Sequence, residues 1–129
     1  MSQPPLIEVE NLTMRFGGLT ALDALSMTVR EGEILGLIGP NGSGKTTFFN
    51  VLTGLYKASA GRIVYRGEDV IGKTPQEIYR GGVARTFQRS RLSLSLTVFD
   101  NIVIGDYQHM RHGLVFNLLR RRAFRAEYE

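Results

Sequence analysis

"GLIGPNGSGKTTFFN", Gly36 to Asn50, crowds four glycines, one proline and one lysine between an apolar run and a pair of phenylalanines. Within it, Gly39-Pro40-Asn41-Gly42-Ser43-Gly44-Lys45-Thr46 has the spacing G-x-x-x-x-G-K-[ST] of a phosphate-cradling loop, the P-loop. The flanks supply the context that such a loop requires. Ahead of it, "EILGLI" (residues 33–38) is a short apolar run that reads as a buried parallel strand. Behind it, "KTTFFNVLTGL" reads as a helix that closes at Gly54, a C-terminal cap.

The residue types explain why phosphate is the expected occupant. Gly42 and Gly44 allow the backbone to turn its N–H groups inward and to approach phosphate oxygens closely. The helix start behind them adds about half a positive charge of macrodipole. Lys45 is long enough to reach β- and γ-phosphates, and the Thr46 hydroxyl suits a magnesium ion bridging the same groups. Thr47 argues against a dinucleotide site, because G-x-G-x-x-G counted from Gly42 needs glycine or alanine there. The stretch from Gly39 through Thr47, with Pro40, Asn41 and Ser43 in its crest, is therefore read as holding a nucleoside triphosphate.

The rest of the chain sets bounds. Its 129 residues suit one domain with a modest core, and 43% hydrophobic with 22% charged content is that of an ordinary globular protein. There is no cysteine, which excludes disulfides and thiolate chemistry. "MSQPPLIEVEN" has neither a basic opening nor a long apolar stretch, so it does not read as a secretory signal. No apolar run approaches the roughly 20 residues that span a bilayer. The expected location is the cytoplasm, or a membrane reached only through a partner. The net charge of +4 is uneven: residues 1–79 carry seven basic and eight acidic side chains, whereas residues 80–129 carry nine arginines and four acids. Such asymmetry is compatible with nucleic acid, anionic lipid or an acidic partner, and equally with a solvated helical face.

Along the chain, "LIEVENLTMRF" (Leu6 to Phe16) reads as an opening strand. "LSMTVR" alternates strictly, with Leu25, Met27 and Val29 on one face. Glu31-Gly32 is a turn, and "RIVYR" (Arg62 to Arg66) is a third strand between glycines. "TPQEIYRGG" carries a full set of helix signals: Thr74 as N-cap, Pro75 at the first position, Glu77 completing a capping box and Gly81 as the stop. "VARTF" (Val83 to Phe87) is read as a short strand leading to Gln88, and a helix is expected to start at Thr97. "GLVFNLLRRRAFRAEYE" reads as an amphipathic helix with Leu114, Leu118 and Leu119 on one stripe. Alternating early strands beside one continuous apolar run predict an α/β P-loop core with an antiparallel layer.

Three segments together resemble a known family. "LTMRFGGLTALDALSMTVREGEILGLIGPNGSGKTTFFNVLTGLYKASAGRIVYRGEDV" resembles the start of an ATP-binding-cassette (ABC) transporter ATPase. "ARTFQ" followed by "LTVFDNI" resembles that family's Q-loop and the helix after it. Within the family the nearest resemblance, carried by "RFGGL", "GPNGSGKTTFFN" and "GGVARTFQ", is to the ATP-binding subunit of bacterial branched-chain amino acid importers.

The resemblance implies ATP and Mg2+ as ligands, with Lys45 and Gln88 serving catalysis and Thr46 and Gln88 facing the metal. Phe16 matches the aromatic that stacks on adenine; the family usually has tyrosine there, but stacking uses the ring face. Gln88 matches the glutamine that contacts magnesium and the attacking water. The implied partners are integral membrane permease subunits and a second ATP-binding subunit, in a homo- or heterodimer, at the cytoplasmic face of the membrane. Ser93-Leu94-Ser95 departs from the bulkier apolar residues of the importer branch, near where a permease would dock.

Other parts of an ABC ATPase are not in the sequence. It contains no LSGGQ-like signature loop, no apolar strand ending in Asp-Glu and no switch histidine. "IVIGD" (Ile102 to Asp106) imitates the Asp-bearing strand poorly, since Gly105 interrupts it and Tyr107 stands where glutamate belongs. His109 and His112 lack a carboxylate or cysteine beside them to complete a metal site and read as solvated. The expectation is an N-terminal portion of a cassette ATPase, with residues 1–92 forming the core and residues 93–129 the start of a helical subdomain. Such a chain should bind ATP without turning it over. The alternatives are a non-transport ABC-type protein acting on nucleic acid, for which no aromatic–basic interleaving speaks, or a non-catalytic nucleotide-binding module.

Overall fold

The computed structural model describes residues 4–87 and 92–105. The chain divides into two compact units, Met1–Arg85 and Thr86–Glu129.

The first unit is built on an antiparallel hairpin, β1 (Ile7–Phe16) with β2 (Leu19–Val29). Gly17 and Gly18 alone join the strands, so that Phe16 faces Leu19, and Gly17 has a φ of 56°. The hairpin does not keep one register. Asn11 (φ 47°) and Ala24 (φ 45°) sit in the left-handed region, where the ladder shifts between Val9 and Met14. Hydroxyls replace lost backbone partners there: Asn11 N–H donates to Ser26 Oγ at 2.9 Å, and Ala24 N–H to Thr13 Oγ1 at 3.1 Å. Beyond the shifts, Leu25, Met27 and Val29 are half-buried while Ser26 and Thr28 are exposed, as the alternation predicts.

On the other edge of β1 lies β3 (Ala60–Tyr65), also antiparallel, followed by the two-residue β4 (Glu68–Asp69). The sheet order is β2-β1-β3-β4. Glu10 faces Arg62 across the β1–β3 pair and accepts two hydrogen bonds from its guanidinium, at 2.8 and 2.9 Å. Both side chains are exposed, so this pair contributes little to stability.

Two helices cover the sheet. α1 (Lys45–Leu52) contributes Phe48, Val51 and Leu52, and α2 (Pro75–Arg80) contributes Ile78. These pack with Val9, Leu12, Met14, Leu22, Ile63 and Val70 into one buried cluster. α1 ends in a Schellman arrangement, with Gly54 N–H on the Val51 carbonyl and Leu55 N–H on the Asn50 carbonyl. That geometry needs the left-handed φ of 72° at Gly54. α2 has the expected capping box: Thr74 Oγ1 accepts from Glu77 N–H, and the Glu77 carboxylate accepts from Thr74 N–H at 2.7 Å.

Two expected strands are not formed. Residues 33–38 make no strand pairing; Ile34 and Ile38 are almost wholly exposed, and only Leu37 leans on the core. A buried parallel strand needs paired neighbours on its edges and cover on its faces. Among the described residues the sheet is entirely antiparallel and ends at β2, so the apolar run has no strand beside it. "VARTF" likewise does not form a strand; Val83 closes the end of α2, its N–H donating to the Ile78 carbonyl at 3.3 Å.

In the second unit, α3 (Val98–Gly105) starts where Thr97 predicts. Thr97 Oγ1 accepts from Asp100 N–H at 3.1 Å, and the Asp100 carboxylate accepts from the Thr97 hydroxyl at 2.7 Å, a second reciprocal cap. The Asn101 side chain ties the preceding loop to this helix: it accepts from Ser93 N–H at 2.9 Å and donates to the Ser93 carbonyl at 3.1 Å. Leu92, Leu94, Val98 and Ile102 line an open apolar hollow of about 280 Å³. Ile102 to Gly105 are helical, which removes "IVIGD" as a strand end. Asp106, His109, His112 and the amphipathic segment from Gly113 lie outside the described residues.

Candidate functional site

The loop from Gly39 to Gly44 feeds directly into α1. Gly44 is the N-cap with a φ of 86°, and its side-chain-free position is required twice. Besides the left-handed backbone, a Cβ there would run into the Ala21 carbonyl oxygen of β2 and approach Leu22 Cδ2 at 2.9 Å. The start of α1 is thus seated on the hairpin. Gly42 has nearly the same φ, 85°, but nothing within 4 Å of where a Cβ would stand. Its glycine serves conformation and leaves open space in the loop.

Lys45 turns back across the loop. Its ammonium donates to the Gly39 and Pro40 carbonyls, both at 2.6 Å, and to Ser43 Oγ at 3.2 Å. Ser43 N–H meets the Pro40 carbonyl at 3.3 Å, so the loop closes on itself around the charge. Gly39 lies so close to Ser43 that a Cβ would stand 2.7 Å from its hydroxyl oxygen. The motif spacing anticipated a lysine reaching outward to phosphate; the hold on the first two loop carbonyls was not visible in it.

The donor set fits an anion. No side chain caps the first turn of α1 and no acid stands in it, so its amides and one ammonium face the loop without a competing carboxylate. Thr46 is exposed and Thr47 half-buried at that helix start, whereas Pro40 and Asn41 form the exposed crest. Among the described residues no group of three or more His, Cys, Asp or Glu side chains is arranged to hold a metal. A magnesium ion would have the Thr46 hydroxyl as its ligand from these residues, and this suits an ion that keeps waters and phosphate oxygens as its other ligands.

Phe16 stands at the end of β1, 43% exposed. Leu19 opposite it lies two residues before Ala21, where Gly44 is seated, so the hairpin that carries Phe16 also supports the loop. The Phe16 ring meets the Tyr56 ring nearly at right angles, with centroids 5.4 Å apart and planes at 78°. Behind α1, Arg85 Nη1 donates to Asn50 Oδ1 at 2.7 Å, and its guanidinium lies 6.0 Å from the centre of the Phe49 ring. Tyr56 and Arg85 were not singled out from the sequence, since their partners lie 40 and 35 residues away and no short-range periodicity encodes such contacts. Gln88 lies outside the described residues.

The chain is 50% identical over 125 residues to the high-affinity branched-chain amino acid transport ATP-binding protein LivG of Salmonella typhimurium, covering 97% of this chain and 49% of that protein. It is 46% identical over the same length to LivG of Escherichia coli, again covering 49% of it. BraF of Pseudomonas aeruginosa, described in the same words, is 42% identical over 121 residues, 48% of its length. The chain therefore spans about half the length of the curated relatives it matches. Among solved structures, an ATP-binding cassette of an ABC transporter in its ADP conformation superposes with a TM-score of 0.75 at 36% identity, over 92% of this chain and 46% of that one. A nucleotide-free ATP-binding cassette from an ABC transporter gives 0.74 at 37% identity, over 90% and 46%. The family profile described as ABC transporter matches residues 22–128, a span that includes the loop, Lys45 and α1, and the chain belongs to that family.

Proposed function

We propose that this chain is the ATP-binding portion of an importer ATPase that couples ATP hydrolysis to uptake of branched-chain amino acids. The observation that carries this reading is the Lys45 ammonium held over the Gly39 and Pro40 carbonyls, beside a helix start with no capping side chain. This hold keeps the charge at the loop, and since all three ammonium N–H groups are on loop oxygens, one or more of these bonds exchanges for a β- or γ-phosphate oxygen on binding, beside the amides at the start of α1. Thr46 offers its hydroxyl to magnesium, which when bound neutralises charge on the bridging phosphate oxygens. Phe16 receives the adenine on its ring face. Gln88, by the family resemblance, would orient the attacking water and help to hold the metal.

The names of the relatives support the transport reading, since LivG and BraF are branched-chain amino acid transport proteins. On this reading the partners are integral membrane permease subunits and a second ATP-binding subunit, and the chain works at the cytoplasmic face. Among the described residues no helix is long and apolar enough to cross a membrane, so attachment would run through those partners. Residues 1–92 act as the nucleotide-binding core and residues 93–129 begin the helical subdomain. No nucleic acid is expected, despite the nine arginines after residue 79.

Titration of MgATP into the wild type and Lys45→Ala tests this reading. Removing a charge-assisted phosphate contact should weaken binding by about tenfold or more. Equal affinities would sink it.

A further inference from the structure

Tyr56 is built into the fold more firmly than a surface tyrosine needs. Its N–H donates to the Asn50 carbonyl at 3.1 Å, the same oxygen that takes Leu55 N–H at 2.8 Å, so the residue is clamped to the end of α1. The turn before it is fixed as well. Gly54 lies against α2, where a Cβ would stand 2.8 Å from the Lys73 carbonyl and 2.9 Å from Ile78 Cδ1. A few residues on, Ser59 N–H donates to the Thr13 carbonyl at 2.9 Å and Ser59 Oγ accepts from Arg15 N–H at 3.0 Å, tying the segment to the end of β1. The ring of Tyr56 therefore approaches Phe16 from a rigid support, while Phe16 itself ends a strand beside a two-glycine turn.

We propose that Tyr56 is a positioning residue for the nucleotide base, holding the Phe16 ring at a fixed tilt so that its free face receives the purine. The proposal rests on the reading of Phe16 as the stacking residue. In an edge-to-face pair only one ring offers a face, so whichever ring does so, at least one face of Phe16 stays clear of Tyr56. Phe16 is 43% exposed, and the Tyr56 ring is an aromatic contact that restrains its side-chain torsions. Stacking onto a ring held in place costs less ordering than stacking onto one that must first be immobilised.

The test measures the affinities of ATP and of inorganic tripolyphosphate, which has no base, for the wild type, Phe16→Ala, Tyr56→Ala, Tyr56→Phe and the double alanine variant. Tyr56→Ala should weaken ATP about three- to tenfold, the range of one aromatic pair, and leave tripolyphosphate unchanged. Tyr56→Phe should keep wild-type affinity, because the contact uses the ring and not the hydroxyl. The double variant should be no weaker than Phe16→Ala, since Tyr56 acts through Phe16. A loss shared equally by ATP and tripolyphosphate would assign Tyr56 to the fold alone and overturn the proposal. So would an additive double variant, which would put Tyr56 in direct contact with the base. If Phe16→Ala weakens ATP and Tyr56→Ala does not, the positioning role fails while the stacking role survives. If Phe16→Ala itself has no effect on ATP, the stacking reading falls and takes this one with it.

Discussion

Arg85 reaches back to Asn50, its Nη1 2.7 Å from the side-chain oxygen, and joins the last residue of the first unit to the middle of α1. The same asparagine accepts Leu55 and Tyr56 N–H groups on its backbone carbonyl, so one residue of α1 anchors two separate segments. Thr53 Oγ1 lies 3.4 Å from the same guanidinium nitrogen.

Arg85→Ala and Asn50→Ala should each destabilise the chain by about 1–2 kcal/mol, the cost of leaving a part-buried hydrogen-bonding partner unmet. The double variant should lose less than the sum, with a coupling of about 1 kcal/mol. Chemical denaturation of the four proteins measures this. Strict additivity would mean that the guanidinium gains as much from its other surroundings, including the Phe49 ring, as from Asn50.

Gly44→Ala and Gly42→Ala separate two demands that the motif spacing merges. Both positions have a left-handed φ, which costs an alanine roughly 1–2 kcal/mol. Only Gly44 is also pressed against β2, so its variant should lose a further 1–3 kcal/mol, roughly the range for overpacking. Gly42→Ala should stay folded and instead lose affinity for MgATP, because the methyl would enter the open part of the loop. Thermal unfolding together with nucleotide titration distinguishes the two. Equal destabilisation by both substitutions would show that the Ala21 contact yields easily.

How much of this was legible in the sequence depends on range. The capping box of α2 and the left-handed close of α1 at Gly54 are set by residues three or four apart, and the sequence signals for both agree with the structure. The opening of β2, Leu19 to Ala24, is not marked in the sequence, because the left-handed Ala24 breaks the period-two alternation that marks a strand. β4 has two residues, too few to show any period. The run at residues 33–38 has strand composition, but composition cannot supply the neighbouring strand that burial requires. For the candidate site, the loop residues were legible because their roles lie in backbone conformation and spacing. Tyr56, Arg85 and the carbonyl contacts of Lys45 depend on tertiary approach, which spacing does not encode.

Acid should loosen α2 through Glu77. Its carboxylate accepts the Thr74 backbone N–H and then the Thr74 hydroxyl, and these hold its pKa below the ordinary carboxylate value. A carboxyl depressed in the folded state contributes stability that is fully present above its unfolded pKa and fades as pH falls through the folded one. The Thr74 amide should therefore shift and exchange faster below the ordinary range, following the same curve as the Glu77 carboxyl. NMR titration reads both. In Glu77→Gln the amide should lose this acid transition; if the transition persists, another group controls the cap.

The 129 residues themselves should bind MgATP weakly and hydrolyse it at no measurable rate above background. Hydrolysis needs a positioned phosphate, a metal and a group that orients the attacking water. The loop and Lys45 serve the first, and Thr46 serves part of the second. No Asp-Glu strand end follows Gln88 in the sequence, and no LSGGQ-like loop is present for a second subunit to receive. The exposure of Ile34 and Ile38 on an unpaired apolar run adds a physical handicap, since such a run favours association. Poor solubility and a shallow thermal transition with only a small upward shift on adding MgATP are expected. Steady turnover by the purified chain, lost in Lys45→Ala, would overturn this and require a carboxylate acting on water. Asp100 could not be that group without giving up Thr97, whose hydroxyl and N–H it already accepts. Asp106 would be the first residue to replace, and Asp106→Asn with full activity would turn the search to Glu127 and Glu129.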